Sequence, residues 1–184
     1  MQSEEWHTES SPRPKKKKTR LVMSKEKVML FAFIDIDGVV YHEFVPPGQT
    51  VNNHFYVQLL QRLRDAVRSK RSDKWHGEWF LHHDDAPSHT SLVVQQFLAE
   101  KSRPIPLIAQ PPYSPDLTPS DFCLFPTLKM GLKWTHFATI GDIKSKATAE
   151  LWKIQKEALS RCFQQWQDRW NMRVCAQRSY IEGD

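Results

Sequence analysis

The chain has 184 residues, with 26 Lys/Arg against 21 Asp/Glu and a formal net charge of +5. Its three cysteines, Cys123, Cys162 and Cys175, form no Cys-x-x-Cys pair, which argues against a zinc ribbon or a disulfide framework and for a reducing compartment. No apolar stretch is long enough to span a membrane, and the N-terminus is too polar for a secretory signal, so no membrane association is expected.

Charge is uneven along the chain. Residues 1–34 carry eight Lys/Arg against four acids, and residues 35–184 carry eighteen against seventeen. Residues 1–27 read as a disordered basic tail or linker. Ser10-Ser-Pro-Arg-Pro-Lys-Lys-Lys-Lys-Thr-Arg20 has nothing to bury, and Lys15, Lys16, Lys17 and Lys18 suit either a nuclear-import signal or an arm lying on phosphate. One globular domain over 28–184 is expected, large enough to bury a core without staples.

Val28-Met-Leu-Phe-Ala-Phe-Ile34 is a continuous apolar run of strand length, as in a central strand buried on both faces. Asp37-Gly38 predicts a hairpin turn and Val39–Val45 the returning strand. Asn52 or Asn53 caps a helix to about Arg71, with Phe55, Leu59, Leu63 and Val67 along one face. Its basic end, with Arg62, Arg64, Arg68, Lys70, Arg71 and Lys74, reads either as a dipole-matched solvated terminus or as a DNA-facing patch.

Glu78–His83 predicts a short strand. Ser88 then caps a helix with a Leu92, Val93, Phe97, Leu98 stripe, and Ile105–Ala109 follows as an irregular or edge strand containing Pro106. Pro111–Pro119 must be extended loop, after which Ser120 caps a helix beginning near Asp121. A last helical region over 140–170 carries Leu151, Ile154, Ala158, Cys162, Trp166 and Trp170 as core. The order describes an α/β domain, a mixed sheet with helices on its faces.

Three carboxylates stand at strand or helix ends: Asp35 and Asp84, each after an apolar run, and Asp121 opening a helix, where the dipole favours an anion. Three such rims meeting at one point make a hard-oxygen site for Mg²⁺ or Mn²⁺, and two divalent ions of a phosphodiester-cutting site need bridging carboxylates. Asp35 is the expected bridging ligand. Asp37 reads as a turn residue, Asp85 as pointing away from Asp84, and Asp116 as an Asx-turn residue in the loop. His82 and His83 face opposite sides of a strand and no distant HxH or HxxxH completes a zinc or iron set. His89 is expected to orient a carboxylate or to contact phosphate.

Phe33-Ile-Asp-Ile-Asp-Gly-Val-Val-Tyr41, Pro47-Gly-Gln-Thr-Val-Asn52, His83-Asp-Asp-Ala-Pro-Ser-His-Thr90, Tyr113-Ser-Pro-Asp-Leu-Thr-Pro-Ser-Asp121 and Arg161-Cys-Phe-Gln-Gln-Trp166 together resemble a mariner-type transposase, from about Trp6 to Asp184. The resemblance implies an RNase-H-like catalytic domain: a mixed five-stranded sheet with helices on both faces, cutting and joining DNA. It implies Asp35, Asp84 and Asp121 as the catalytic acids holding two Mg²⁺, replaceable by Mn²⁺. It further implies transposon ends and target DNA as partners, a homodimer and a nuclear location. Three departures are noted: the family's end-reading N-terminal helix-turn-helix region does not precede the linker, Asp85 stands where the family commonly has Asn, and Trp134 stands where relatives tend to have Gly. They favour a rival expectation, a truncated and inactive remnant that binds DNA or a protein partner.

Overall fold

A computed structural model of the chain describes residues 27–76, 79–100, 104–108, 110–111, 113–135 and 137–181. The basic run Lys15–Lys18 lies outside them. The first expected strand is present as β1, Leu30–Asp35, and turns through Ile36 and Asp37 into β2, Gly38–Phe44, with antiparallel pairing and a bulge between Phe33 and Ile34. Gly38 takes φ +144°, a conformation that L side chains rarely adopt, and this lets the chain reverse beside the Arg71 guanidinium.

Alternation along β1 divides its side chains between two cores. Phe31 and Phe33 pack with Val40, Tyr56, Leu59, Leu60, Leu63 and Val67, whereas Leu30, Ala32 and Ile34 pack with Val39, Leu124, Leu128, Ala147 and Leu151. The continuous apolar run is thus explained by burial on both sides. One face rests on α1, Asn53–Lys70, and on α3, Leu92–Leu98; the other rests on α4, Phe125–Leu132, and α5, Ile140–Trp152.

Helix α1 begins as expected: the Asn52 side chain accepts from the Phe55 amide at 2.9 Å. Its buried stripe is Tyr56, Leu59, Leu60, Leu63 and Val67, so Tyr56 displaces Phe55 from the core-facing position. A short helix α2, Ser72–His76, follows.

Several expectations need correction. Of the strand expected over 78–83, only β3, Leu81–His82, forms among the described residues, pairing in parallel with β4, Leu107–Ile108. Ser91 rather than Ser88 precedes α3. Val94 and Leu98 are its buried residues, while Leu92 is 67% exposed. The loop over 111–119 contains a 3₁₀ turn, Pro115–Leu117. The helical region over 140–170 is two helices, α5 and α6, Lys156–Ile181, with α5 opened by a Thr139–Asp142 capping box.

The four strands among the described residues form two two-stranded sheets, β1–β2 and β3–β4. Among the described residues no strand joins β1 to β3.

Ser120–Leu124 is a π-turn preceding α4, with Pro119, not Ser120, at its N-cap. The Phe125 amide reaches back five residues to the Ser120 carbonyl, one position before Pro126, which has no amide to continue the α ladder.

Trp134, one residue beyond the α4 cap, holds φ +66° with its ring 87% exposed. This is the left-handed position that glycine takes after a helix. Trp134→Gly is expected to stabilise the fold by about 1 kcal/mol, because the Cβ penalty outweighs an exposed ring's contacts. Thermal unfolding would show a midpoint raised by about 2–4 °C; a lower midpoint would refute the strain.

Candidate active site

Asp84 follows β3, and a local turn defines its surroundings. The amides of His89 and Thr90 bond the Ala86 carbonyl at 2.8 and 3.1 Å, and this folds His89 back onto Asp84. The His89 Nδ1–H donates to Asp84 Oδ1 at 2.5 Å. This hydrogen bond is the main reason the Asp84 carboxyl lies below its ordinary value. Of the two partners expected for His89, a carboxylate or a phosphate, it bonds the Asp84 carboxylate here.

The imidazole is itself held by stacking. The Tyr56 ring lies 3.8 Å from the His89 ring at 26°, and His83 stacks on His89 at 5.3 Å and 12°. Burial, with the neighbouring His89, pushes His83 down to about 4, so its imidazole is neutral at ordinary pH. The Tyr56 hydroxyl, whose own ionisation burial suppresses, donates to His83 Nδ1 at 2.8 Å. Tyr56 was not anticipated as part of the site. A phenol within an apolar helical stripe was the only signal for it, since such a group needs a buried partner.

Asp121 lies in the π-turn. Burial first, and then the negative charge of Asp84, raise its pKa, with Lys129 opposing. The two carboxylates therefore stand within electrostatic reach of each other, although they come from elements far apart in sequence. Close carboxylates resist simultaneous ionisation, and a divalent cation relieves that conflict. Their oxygen-only donor set suits Mg²⁺ or Mn²⁺.

Asp35 is placed differently. Arg71 Nε and Lys74 Nζ each donate to its Oδ2 at 2.8 Å, and the Asp37 amide donates to Oδ1 at 2.9 Å. Burial alone would push this carboxyl up, yet the two cations hold it below its ordinary value. Lys74 also bonds Asp37 at 2.5 Å, and Lys156 at the start of α6 reaches Asp37 at 2.6 Å. Asp37 is held down at about 2 by Lys156 and Lys74. The turn residue thus ties the hairpin to α2 and α6.

Among the described residues no three or more His, Cys, Asp or Glu side chains are grouped to hold one ion. Asp121 feels the charge of Asp84, and Asp35 is held in an ion-pair cluster with Arg71 and Lys74.

The basic end of α1 is largely engaged within the fold. Arg62 forms a two-pronged pair with Glu43 at 2.8 and 3.0 Å, and Arg64 pairs with Glu100 at 2.5 Å and lies over Phe97. Lys70 donates to the Val40 carbonyl at 2.9 Å, and Arg71 grips Asp35. Arg68, near Asp65 at 3.9 Å, faces solvent, with its side chain 66% exposed. Asp116 offers its backbone carbonyl to Arg169 at 2.7 Å rather than serving the site.

This fold is shared with known proteins. The family described as "Transposase (partial DDE domain)" matches residues 1–76. The crystal structure of the catalytic domain of Mos1 mariner transposase superposes with a TM-score of 0.74 at 31% identity, covering 81% of this chain and 73% of that one. A pre-cleavage Mos1 transpososome aligns with a TM-score of 0.77 at 27% identity, over 96% of this chain and 51% of that one.

By sequence, the chain is 32% identical to the mariner Mos1 transposase of Drosophila mauritiana over 160 residues. It is 25% identical to the human histone-lysine N-methyltransferase SETMAR over 168 residues. It spans 46% of the first and 23% of the second, less than half the length of either. The chain belongs to the mariner transposase family.

Proposed function

We propose that this chain is the catalytic part of a mariner-type transposase, hydrolysing and rejoining DNA phosphodiesters with Asp84 and Asp121 as its metal-holding carboxylates. The observation that carries this reading is the superposition on the Mos1 catalytic domain, and the raised pKa of Asp121, due to burial and then to the Asp84 charge, is consistent with it. Mos1 structures described with Mg and with Mn support a divalent ion. Such an ion would supply Lewis acidity and a water of lowered pKa.

The chain's own residues do the positioning. His89 fixes the Asp84 carboxylate and keeps it ionised, while stacked Tyr56 and neutral His83 hold the imidazole ring in place. Asp35, expected as a bridging ligand, would have to give up Arg71 and Lys74 to reach a metal. We therefore assign it to the fold and assign metal binding to Asp84 and Asp121. A five-stranded RNase-H-like sheet, two ions, paired transposon ends and target DNA as substrates, a dimer, and nuclear entry through Lys15–Lys18 belong to the same proposal. Mos1 paired-end and strand-transfer complexes support its DNA part.

One observation favours a second reading, a DNA- or protein-binding remnant without catalysis: the three aspartates are not gathered into one cluster. Incubating the purified chain with supercoiled plasmid separates the two. Nicking with Mg²⁺ or Mn²⁺ that EDTA abolishes is expected. Plasmid retention without metal-dependent nicking would overturn the catalytic reading and leave the remnant.

A further inference from the structure

One face of α6 is fastened to the segment that leads to Asp121. Cys162, Trp166, Arg169 and Arg173 follow one another at helical spacing, so they share that face. The Cys162 thiol lies 4.0 Å from the Pro119 carbonyl, and the Trp166 indole N–H donates to the Leu117 carbonyl at 2.7 Å. Arg169 donates to the Asp116 carbonyl at 2.7 Å, and Arg173 to the Ser114 hydroxyl at 3.0 Å. The contacts run in opposite order along the two elements, so the helix lies antiparallel to the loop. Most of the acceptors are backbone carbonyls, and the contacts therefore fix the path of the main chain.

Trp166 does more than its neighbours on that face. Leu117 is buried, and the next residue, Thr118, accepts from the Asp121 and Phe122 amides at 2.9 and 3.2 Å. The indole N–H thus holds the chain one residue before the turn that carries Asp121. The same ring also meets the His82 imidazole edge to face, with centroids 5.1 Å apart and planes at 65°. His82 ends β3, two residues before Asp84. Phe163 packs against Trp166 from within α6 at 6.0 Å and 83°, which restricts the ring. One rigid side chain therefore touches both segments that deliver the acids of the site. Packing is common to any core tryptophan; contact with both of those segments is not.

We propose that Trp166 is a positioning residue that sets the separation of Asp84 and Asp121 for a small divalent ion. The inference rests on the reading of those two acids as the metal-holding pair. A compact ion depends on that separation more than a large one does. Mg²⁺ demands near-octahedral oxygens at about 2.0–2.1 Å, whereas Ca²⁺ accepts irregular sets at about 2.3–2.6 Å. Loosening the hold should therefore cost Mg²⁺ more than Ca²⁺, and a general loss of fold should cost both alike.

Competition binding on the full chain tests this, with the electron-spin-resonance signal of free Mn²⁺ as readout and Mg²⁺ or Ca²⁺ as competitor. Each variant is measured well below its own melting midpoint. Trp166→Leu loses both contacts and is expected to weaken Mg²⁺ binding by about tenfold or more, with Ca²⁺ changed by less than about threefold. Trp166→Phe keeps a ring beside His82 but loses the N–H, and should fall between Trp166→Leu and the unmodified chain. Leu98→Val trims a buried residue at the end of α3 and should leave both ions bound as before. Unchanged Mg²⁺ affinity in both Trp166 variants, equal loss for the two ions, or the same selective loss in Leu98→Val would overturn the proposal. Failure of the unmodified chain to bind Mn²⁺, or undiminished binding in Asp84→Ala, would overturn the two-acid reading itself and this proposal with it.

Discussion

Replacing Asp84 by alanine is expected to lower metal-dependent plasmid nicking by at least about 100-fold, more than the loss of a residue that merely supports a metal ligand. The change removes one of two coupled carboxylates and leaves His89 without its acceptor. It also has a signature independent of turnover. The Asp84 charge contributes to the raised pKa of Asp121, so in Asp84→Ala the Asp121 titration should move down towards its ordinary value. Carboxyl NMR titration reads that shift. An unmoved Asp121 would show that the two acids are not neighbours, and nicking at the unmodified level would remove Asp84 from the site. In the unmodified chain, protons compete with metal at Asp121. Nicking should therefore decline as pH falls, starting above the range of an ordinary carboxylate.

Asp35→Asn is expected to act on stability and to leave metal affinity alone. The side chains of Asp35, Arg71 and Lys74 are 20%, 18% and 25% exposed, too enclosed to count as a screened surface pair. Removing the anion leaves two cations facing each other in partial burial, for a loss of about 2 kcal/mol. The melting midpoint should fall by about 4–8 °C. The pH dependence has a defined sign. Asp35 and Asp37 both have folded pKa values below their unfolded ones, so their contribution is present above about pH 4 and is lost as pH falls towards the folded values, about 2 for Asp37. Denaturant titrations across that window should show a steep loss in the unmodified chain and a shallower one in Asp35→Asn. A tenfold fall in metal affinity with unchanged stability would instead make Asp35 a ligand.

The contrast between these acids shows where reading the sequence succeeded. Asp84 and His89 are five residues apart within one turn, and a carboxylate or a phosphate was the partner expected for the imidazole. The β1–β2 hairpin, the Asn52 cap and the two-sided burial of β1 were equally legible, because turn chemistry, capping and alternation act over a few residues. Trp134 was legible too, through the left-handed backbone that a glycine would fill. Asp35 was harder. Its apolar strand and terminal carboxylate match those preceding Asp84, and nothing local shows that Arg71 and Lys74, more than 35 residues on, will reach it.

The amino-acid sequence by itself determined the hairpin, the Asn52 cap of α1 and the family motifs, since each depends on residues close together in the chain. The tertiary structure decided the partners of the three aspartates, the turning of Tyr56 inward, and the separation of the described strands into two sheets. Those outcomes depend on how helices α1, α2 and α6 dock against the hairpin. Docking is set by the summed burial of two cores and by ion pairs spanning large sequence separations, and no single segment encodes either.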